Sequence, residues 1–207
     1  MKQEYAVTQE VADASRFSSA TLCEAAGKTG SLPAGIKPLA SGMKVCGRAV
    51  PVHSPPGDNI MLHQAILTAK PGDVLVVEVS GMYDAGYWGD IMTLAAQERG
   101  IQGLVIDGCV RDKEDIVASE FPVFSRGLCI QGTTKHGGGT INEPILIGQA
   151  RIQASDLIVG DDDGVVVIPE EHILSVLEKA KQRAEHEEQI RQQLKAGKNT
   201  MEIYGWK

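Results

Sequence analysis

Gly86-Tyr87-Trp88-Gly89-Asp90-Ile91-Met92-Thr93-Leu94-Ala95-Ala96-Gln97-Glu98-Arg99-Gly100-Ile101-Gln102-Gly103-Leu104-Val105-Ile106-Asp107-Gly108-Cys109-Val110-Arg111-Asp112-Lys113-Glu114-Asp115 is the stretch on which the fold turns. A glycine-rich loop, Gly81 to Gly89, runs into Asp90 and the helical pattern Ile91, Leu94, Ala95, which stops at Gly100. Gly103 to Asp107 is a short apolar run of strand length, Gly108 to Asp112 is its exit loop, and Lys113 to Ser119 suits a second helix.

The same grammar extends outward. A first helix opens at Ser18 or Ser19 and ends at Gly27, Ser31 to Gly42 is loop-like, and Met43 to Val52 reads as a strand. Pro55-Pro56-Gly57-Asp58 caps a helix of about Asn59 to Ala69. The turn Lys70-Pro71-Gly72-Asp73 then leads to a β-branched strand, Val74 to Val79. Phe121 to Ser125 is another strand, and Thr133 to Thr140, with three consecutive glycines, is a loop. Pro144 to Ile168 reads as several strands, the last two joined at Asp161-Asp162-Asp163-Gly164, an Asp-Gly hairpin signal without the further ligands of a calcium loop. A long helix starts at Pro169, with the stripe Ile173, Leu177, Ala180, Ala184, Glu187, Arg191, Leu194, and stops near Gly197. Its stripe turns charged at Glu187 and Arg191, as in a solvated distal half or in a helix that lays a carboxylate into a neighbouring subunit.

The 207 residues suffice for one large domain or two small ones, and 43% hydrophobic with 23% charged residues is globular composition. A net charge of -7 argues against a protein whose main task is gripping a phosphate backbone. Met1 to Ala12 is polar and lacks the features of a secretory signal, and no run approaches a membrane span, so a cytoplasmic protein is expected. Cys23, Cys46, Cys109 and Cys129 lie far apart in apolar stretches. They read as reduced, mostly buried thiols rather than zinc ligands, and His53, His63, His136 and His172 lack ligand spacing.

Two loops in the opening stretch carry groups fit for chemistry. A helix start offers unpaired N–H groups and a positive dipole end, suited to a carboxylate. Gly86 and Gly89 leave room for a ligand against the backbone. Arg111 offers a planar fork for a carboxylate, and Asp112 makes sense beside it as the holder of a divalent cation that itself binds ligand oxygens. Such parts suit a 2-oxo acid chelated to magnesium or manganese. Read blandly, Asp90 is a helix N-cap, Arg111-Asp112 a surface pair and Asp107 a structural group. Lys28, Lys44, Lys70 and Lys113 are surface charges.

Asp90, twenty residues, Arg111-Asp112, two residues and Asp115 resembles the D-x20-R-D-x2-E/D motif of the class II pyruvate aldolases that cleave 4-hydroxy-4-methyl-2-oxoglutarate and 4-carboxy-4-hydroxy-2-oxoadipate. Glu24 to Gly30, Pro56-Gly57-Asp58-Asn59, Gly103 to Gly108, Asp161 to Val165 and Ile203-Tyr204-Gly205 are similar to that family too. The resemblance implies an α/β single domain with a layered β-sheet core and flanking helices, of the swivelling β/β/α, RraA-like type shared with the regulator of ribonuclease activity A. That domain covers 1–207, with 170–207 a helical arm reaching a neighbouring subunit of a homotrimer or homohexamer.

Residue by residue, the resemblance implies that Asp112 ligates Mg2+ or Mn2+ and that Asp90 holds metal-bound water. Arg111 and the backbone at Gly89, Asp90, Ile91 and Met92 would bind the pyruvyl group. A glutamate of the neighbouring C-terminal helix, Glu187 or Glu188, would complete the water network, with Glu24 a further candidate. Ile91 and Met92 stand where the family commonly has leucines, which matters little if the backbone makes the contact. The implied activity is a metal-dependent carbon–carbon lyase that releases pyruvate from a small 2-oxo acid and decarboxylates oxaloacetate as a side activity. Its partners would exclude nucleic acid and membrane. The rival is a non-catalytic, ribonuclease-regulator-like adaptor, against which the Arg111-Asp112 pair speaks. A methyltransferase lacks its glycine-rich strand-to-helix motif here.

Overall fold

β-Branched runs that alternate strictly between two environments build the core of the computed structural model, which describes residues 8–206. In chain order the elements are α1 (Gln9–Ala14), α2 (Ser19–Ala25), β1 (Lys37–Pro38), β2 (Val45–His53), α3 (Ile60–Thr68), β3 (Asp73–Glu78), α4 (Asp90–Glu98), β4 (Gly103–Asp107), β5 (Cys109–Val110), α5 (Lys113–Ala118), β6 (Val123–Ser125) and β7 (Gly127–Leu128). There follow β8 (Thr140–Ile141), β9 (Ile145–Ile147), β10 (Ala150–Ile152), β11 (Leu157–Asp161), β12 (Gly164–Ile168), a 3-10 turn (Glu170–His172), α6 (Ile173–Lys195) and α7 (Thr200–Tyr204).

The main sheet runs β1-β6-β4-β3-β2-β11-β12, with β8 also on β2. β2, β3, β4 and β6 are parallel, joined by crossovers through α3, α4 and α5, and the remaining strands of this sheet pair antiparallel. Residues 30–38 stitch the two edges together. Ser31 bridges Val166 and Leu32 donates to the Val165 carbonyl, while β1 pairs β6, so the sheet nearly closes.

Side-chain alternation sorts each strand between layers. Val74, Val76, Val105, Ile158, Val165 and Val167 point inward, onto the β9–β10 hairpin. Leu75, Val77, Leu104 and Ile106 point outward under α3, α4 and α5. Leu157, Val159, Val166 and Ile168 point outward under α2 and α6. This is the mixed α/β fold with a layered sheet core and flanking helices that was expected.

The Asp161–Gly164 hairpin forms, and its aspartates serve the protein itself. Asp161 accepts from the Ser19 N–H and hydroxyl at 2.8 and 2.6 Å, and Asp162 from Ser41 and Gly42. Three expectations need correction. Pro169 is extended (ψ 139°), so the closing helix begins only after the 3-10 turn. Its distal half is not wholly solvated, because Ile190, one position off the expected stripe, is buried. Only Cys109 of the four free thiols is buried, the others being half-buried. Short α1, α7 and β1 were not anticipated. Of the polar start Met1 to Ala12, Met1–Val7 lies outside the described residues. Among those described, no helix is long and apolar enough to cross a membrane.

Candidate active site

The loops leaving the C-terminal ends of β3 and β4 are locked to each other by backbone bonds. Tyr87 N–H donates to Cys109 O at 3.0 Å, and Arg111 N–H to Trp88 O at 2.9 Å. Buried aromatic anchors hold the first loop. The Tyr87 hydroxyl accepts the Gly57 N–H and donates to Met82 O. The Trp88 indole donates to Thr93 Oγ1 at 2.7 Å and stacks on Phe121. The composition gave no hint that these two rings, among few aromatics, fix the loop; their burial emerges only from the fold.

At the tip of this assembly Asp112 takes left-handed backbone (φ 58°, ψ 41°), a region that aspartate enters more readily than most side chains. The conformation turns Asp112 away from capping α5 and toward the start of α4. Its Oδ2 lies 3.4 Å from Asp90 N and 3.5 Å from Arg111 Nε. The cap of α4 is Gly89, with Asp90 the first helical residue, so the N-cap reading of Asp90 fails by one position. The first intrahelical bond is Thr93 N–H to Gly89 O, which leaves the N–H groups of Ile91 and Met92 ahead of the helical ladder.

Gly86 and Gly89 do not mainly provide clearance for a ligand. A Cβ at Gly86 would overlap the Cys129 carbonyl oxygen, and one at Gly89 would overlap Asp112 Oδ2. The glycines let the protein's own groups close in, and Gly89 in particular admits the Asp112 carboxylate.

Two hollows flank Arg111. One, of about 280 Å3, is lined by Gly89, Asp90, Ile91 and Met92 together with Asn59, His63 and Lys135. The other, of about 290 Å3, is lined by Asp112, Lys113, Leu128, Cys129 and Ile130. Asn59, His63 and Lys135 escaped the sequence reading. Only Asn59 carried a signal, as the end of the Pro56-Gly57-Asp58-Asn59 motif. Its amide donates to Tyr87 O at 2.7 Å, which fixes the orientation and leaves a buried Oδ1 without a partner among the described residues. Burial and the neighbouring Lys135 hold His63 below the usual histidine range, so it stays neutral near pH 7 and Lys135 supplies the charge.

Loop 133–137 is pinned beside the hollow by Asp58, which accepts from Ile60 N, His136 N and Thr134 Oγ1. Burial alone would raise the Asp58 carboxyl, but these donors outweigh it and leave it below the usual carboxylate range. Asp107 forms a largely buried pair with Arg126, in line with a structural role.

Glu24, Glu187 and Glu188 line neither hollow. Glu24 on α2 and Glu187 on α6 instead converge on Arg183, at 3.6 and 3.0 Å, and Arg191 touches both Glu187 and Glu188 at 3.5 and 3.4 Å. Among the described residues no three His, Cys, Asp or Glu side chains gather as a metal cluster. The Asp112 carboxylate nonetheless is the type of donor that a hard cation of the magnesium type takes, since such an ion binds one or two carboxylates and keeps its waters.

Comparisons with known proteins identify the family and the fold. The family model described as Aldolase/RraA, RraA-like, matches residues 8–167. A Halalkalibacterium halodurans protein, provisionally named 4-hydroxy-4-methyl-2-oxoglutarate aldolase, is 41% identical over 158 residues, 76% of this chain and 75% of its own. A solved Pseudomonas syringae protein, itself uncharacterized, superposes with a TM-score of 0.84 at 30% identity, covering 96% of both chains. Streptomyces coelicolor RraAS2, described as an unusual member of the RNase ES inhibitor RraA family, superposes with a TM-score of 0.80 at 28% identity, covering 91% of this chain and 98% of its own. The chain belongs to the RraA-like aldolase/RraA family.

Proposed function

We propose that the protein is a divalent-metal-dependent lyase that cleaves 4-hydroxy-4-methyl-2-oxoglutarate or 4-carboxy-4-hydroxy-2-oxoadipate to pyruvate and a second 2-oxo acid. The observation that carries the reading is the placement of the Asp112 carboxylate beside Arg111 at the start of α4. Asp112 would hold Mg2+ or Mn2+, with Asp90 holding a water of that ion, and such an ion, when bound, supplies Lewis acidity to the 2-oxo group.

The remaining work falls to the chain's own groups. The Ile91 and Met92 N–H groups receive the pyruvyl carboxylate at the positive end of α4. Arg111 lies where negative charge grows as the enolate forms, in a site whose groups are already oriented. Asp90 orients the water that takes the C4-hydroxyl proton. C3–C4 then breaks, and a proton returned to C3 completes pyruvate. Lys135, which lines the same hollow, supplies a cation for the distal carboxylate of the substrate, and the Asn59 Oδ1, an acceptor, suits only a hydroxyl or a water there. Oxaloacetate would lose CO2 through the same enolate.

The Glu24–Arg183–Glu187 patch lies outside the hollows of its own chain, which favours its delivery to a neighbouring copy in a trimer or hexamer. Exposed Ile91, Leu94, Leu128 and Ile130 around the site offer an apolar surface for that copy to cover. The likeness to RraAS2 favours a second reading, a binding protein without catalysis. Pyruvate release from oxaloacetate with magnesium, before and after a chelator, separates the two. No release under any divalent ion would leave the adaptor.

A further inference from the structure

We infer that the chain carries a second small-molecule site, for an anion with a flat apolar body, at the opposite end of the sheet from the candidate active site. A cavity of about 540 Å3 lies between α1 and the N-terminal ends of β2 and β3. That is within the range of ligand pockets and nearly twice either hollow at Arg111. Lys70, Pro71, Gly72 and Asp73 line it where β3 begins, whereas the active-site loop leaves where β3 ends, roughly 16 Å away at about 3.3 Å per residue.

The cavity's chemistry is uneven. Its floor is apolar, formed by Val11, Phe17, Val45 and Val159. Burial pushes the Cys46 thiol up to about 11, so this wall stays neutral. The charged lining is Arg16, Lys44, Arg48 and Lys70 against Asp73 and Asp161. Both acids are engaged within the fold. Asp73 accepts the Lys70 N–H, and Asp161 accepts from Ser19 and from the Asp163 N–H. Arg48 is held by Glu10 and the Ser155 carbonyl.

Among the described residues no carboxylate lies within salt-bridge distance of the Lys44 or Lys70 ammonium groups, though Lys70 acts on Asp73 from further off, and Arg16 has only Asp13 of its own turn, at 3.7 Å. In a chain of 27 acidic and 20 basic residues, the exposed Arg16, Lys44 and Lys70 all line this hollow with its apolar floor. Long cationic side chains around an apolar floor match a carboxylate or sulfonate on an aromatic body. None of these residues takes part in the proposed lyase chemistry, so the inference stands or falls separately from it.

The test is a fluorescence and calorimetric titration of the full chain with 1-anilinonaphthalene-8-sulfonate, using uncharged N-phenyl-1-naphthylamine as the same-body control. One saturable sulfonate site per chain is expected. It should weaken at least about tenfold when Lys44→Glu and Lys70→Glu are combined, since each reversal replaces attraction with repulsion. Arg111→Ala should leave it unchanged, and the uncharged control should bind at least about tenfold more weakly. Ala12→Trp, which fills the cavity from α1, should abolish it and keeps the result readable if the charge reversals weaken the fold. Absence of saturable binding, an affinity unmoved by the lysine or Ala12 variants, loss in Arg111→Ala, or equal affinity for the uncharged probe overturns the inference.

Discussion

The loops at the ends of β3 and β4 and the face shared by α2 and α6 both gather charged groups, but they do so differently. Around Arg111 the charges are few and sit on backbone fixed by Tyr87, Trp88 and the mutual bonds of the two loops. On α2 and α6 the charges are many and half exposed, and Glu24, Glu187 and Glu188 are each already answered by an arginine. Exposed pairs of that kind contribute about 0–1 kcal/mol each, so they do little for the fold. Preorganisation identifies a site more reliably than charge density does. The second region gains a catalytic meaning only if another copy brings it to the first.

Breaking the first region should have the largest effect. Arg111→Ala and Asp112→Ala should each lower pyruvate release by about a thousandfold, the scale of removing a principal transition-state group, while circular dichroism and mass remain those of wild type. Gly89→Ala should cost about a hundredfold, because its Cβ displaces the Asp112 carboxylate and an ångström of misplacement is enough for that.

The second region is sharpened by subunit mixing. Glu187→Ala and Asp112→Ala should each be impaired alone, and reassembled mixtures should recover activity, since some sites then draw intact groups from two chains. Recovery would fail if Glu187 acted within its own chain. If Glu187→Ala and Glu188→Ala both behave like wild type, the α6 face has no part in the reaction.

Smaller effects concern the frame. Tyr87→Phe leaves the Gly57 N–H and Met82 carbonyl without their partner and should cost about 1–3 kcal/mol in urea unfolding. Asp58, held below its ordinary range, binds a proton less readily folded than unfolded. The stability it contributes is full above its unfolded value and is lost as pH falls through its folded value. Asp58→Asn should therefore flatten the acid limb of a stability curve below about pH 4.

The main elements are legible in the sequence because their punctuation is local. Ser18 caps α2 through its hydroxyl, Gly100 turns the chain after α4 with φ 73°, and Asp161 to Gly164 forms the hairpin. Short α1 and β1 are set by tertiary pairing that no local period reports. The position of Arg111 and Asp112 next to the start of α4 is implied by their spacing. The seat of the Asp112 carboxylate is not, because it depends on Gly89 yielding space from another loop. Asn59, His63 and Lys135 come from separate segments that meet only through the crossover at α3 and the loop pinned by Asp58. Gly86 and Gly89 show the limit most plainly. Sequence reports that a close approach occurs there but not which group approaches.

The most direct test is pyruvate release from 4-hydroxy-4-methyl-2-oxoglutarate by the wild-type chain and Asp112→Ala, with magnesium or manganese and again after chelation. Metal-dependent release by wild type, lost both on chelation and in Asp112→Ala, is the expected result. Release that survives the chelator or the substitution, or none with any divalent ion, would contradict a metal-assisted lyase built on Arg111 and Asp112.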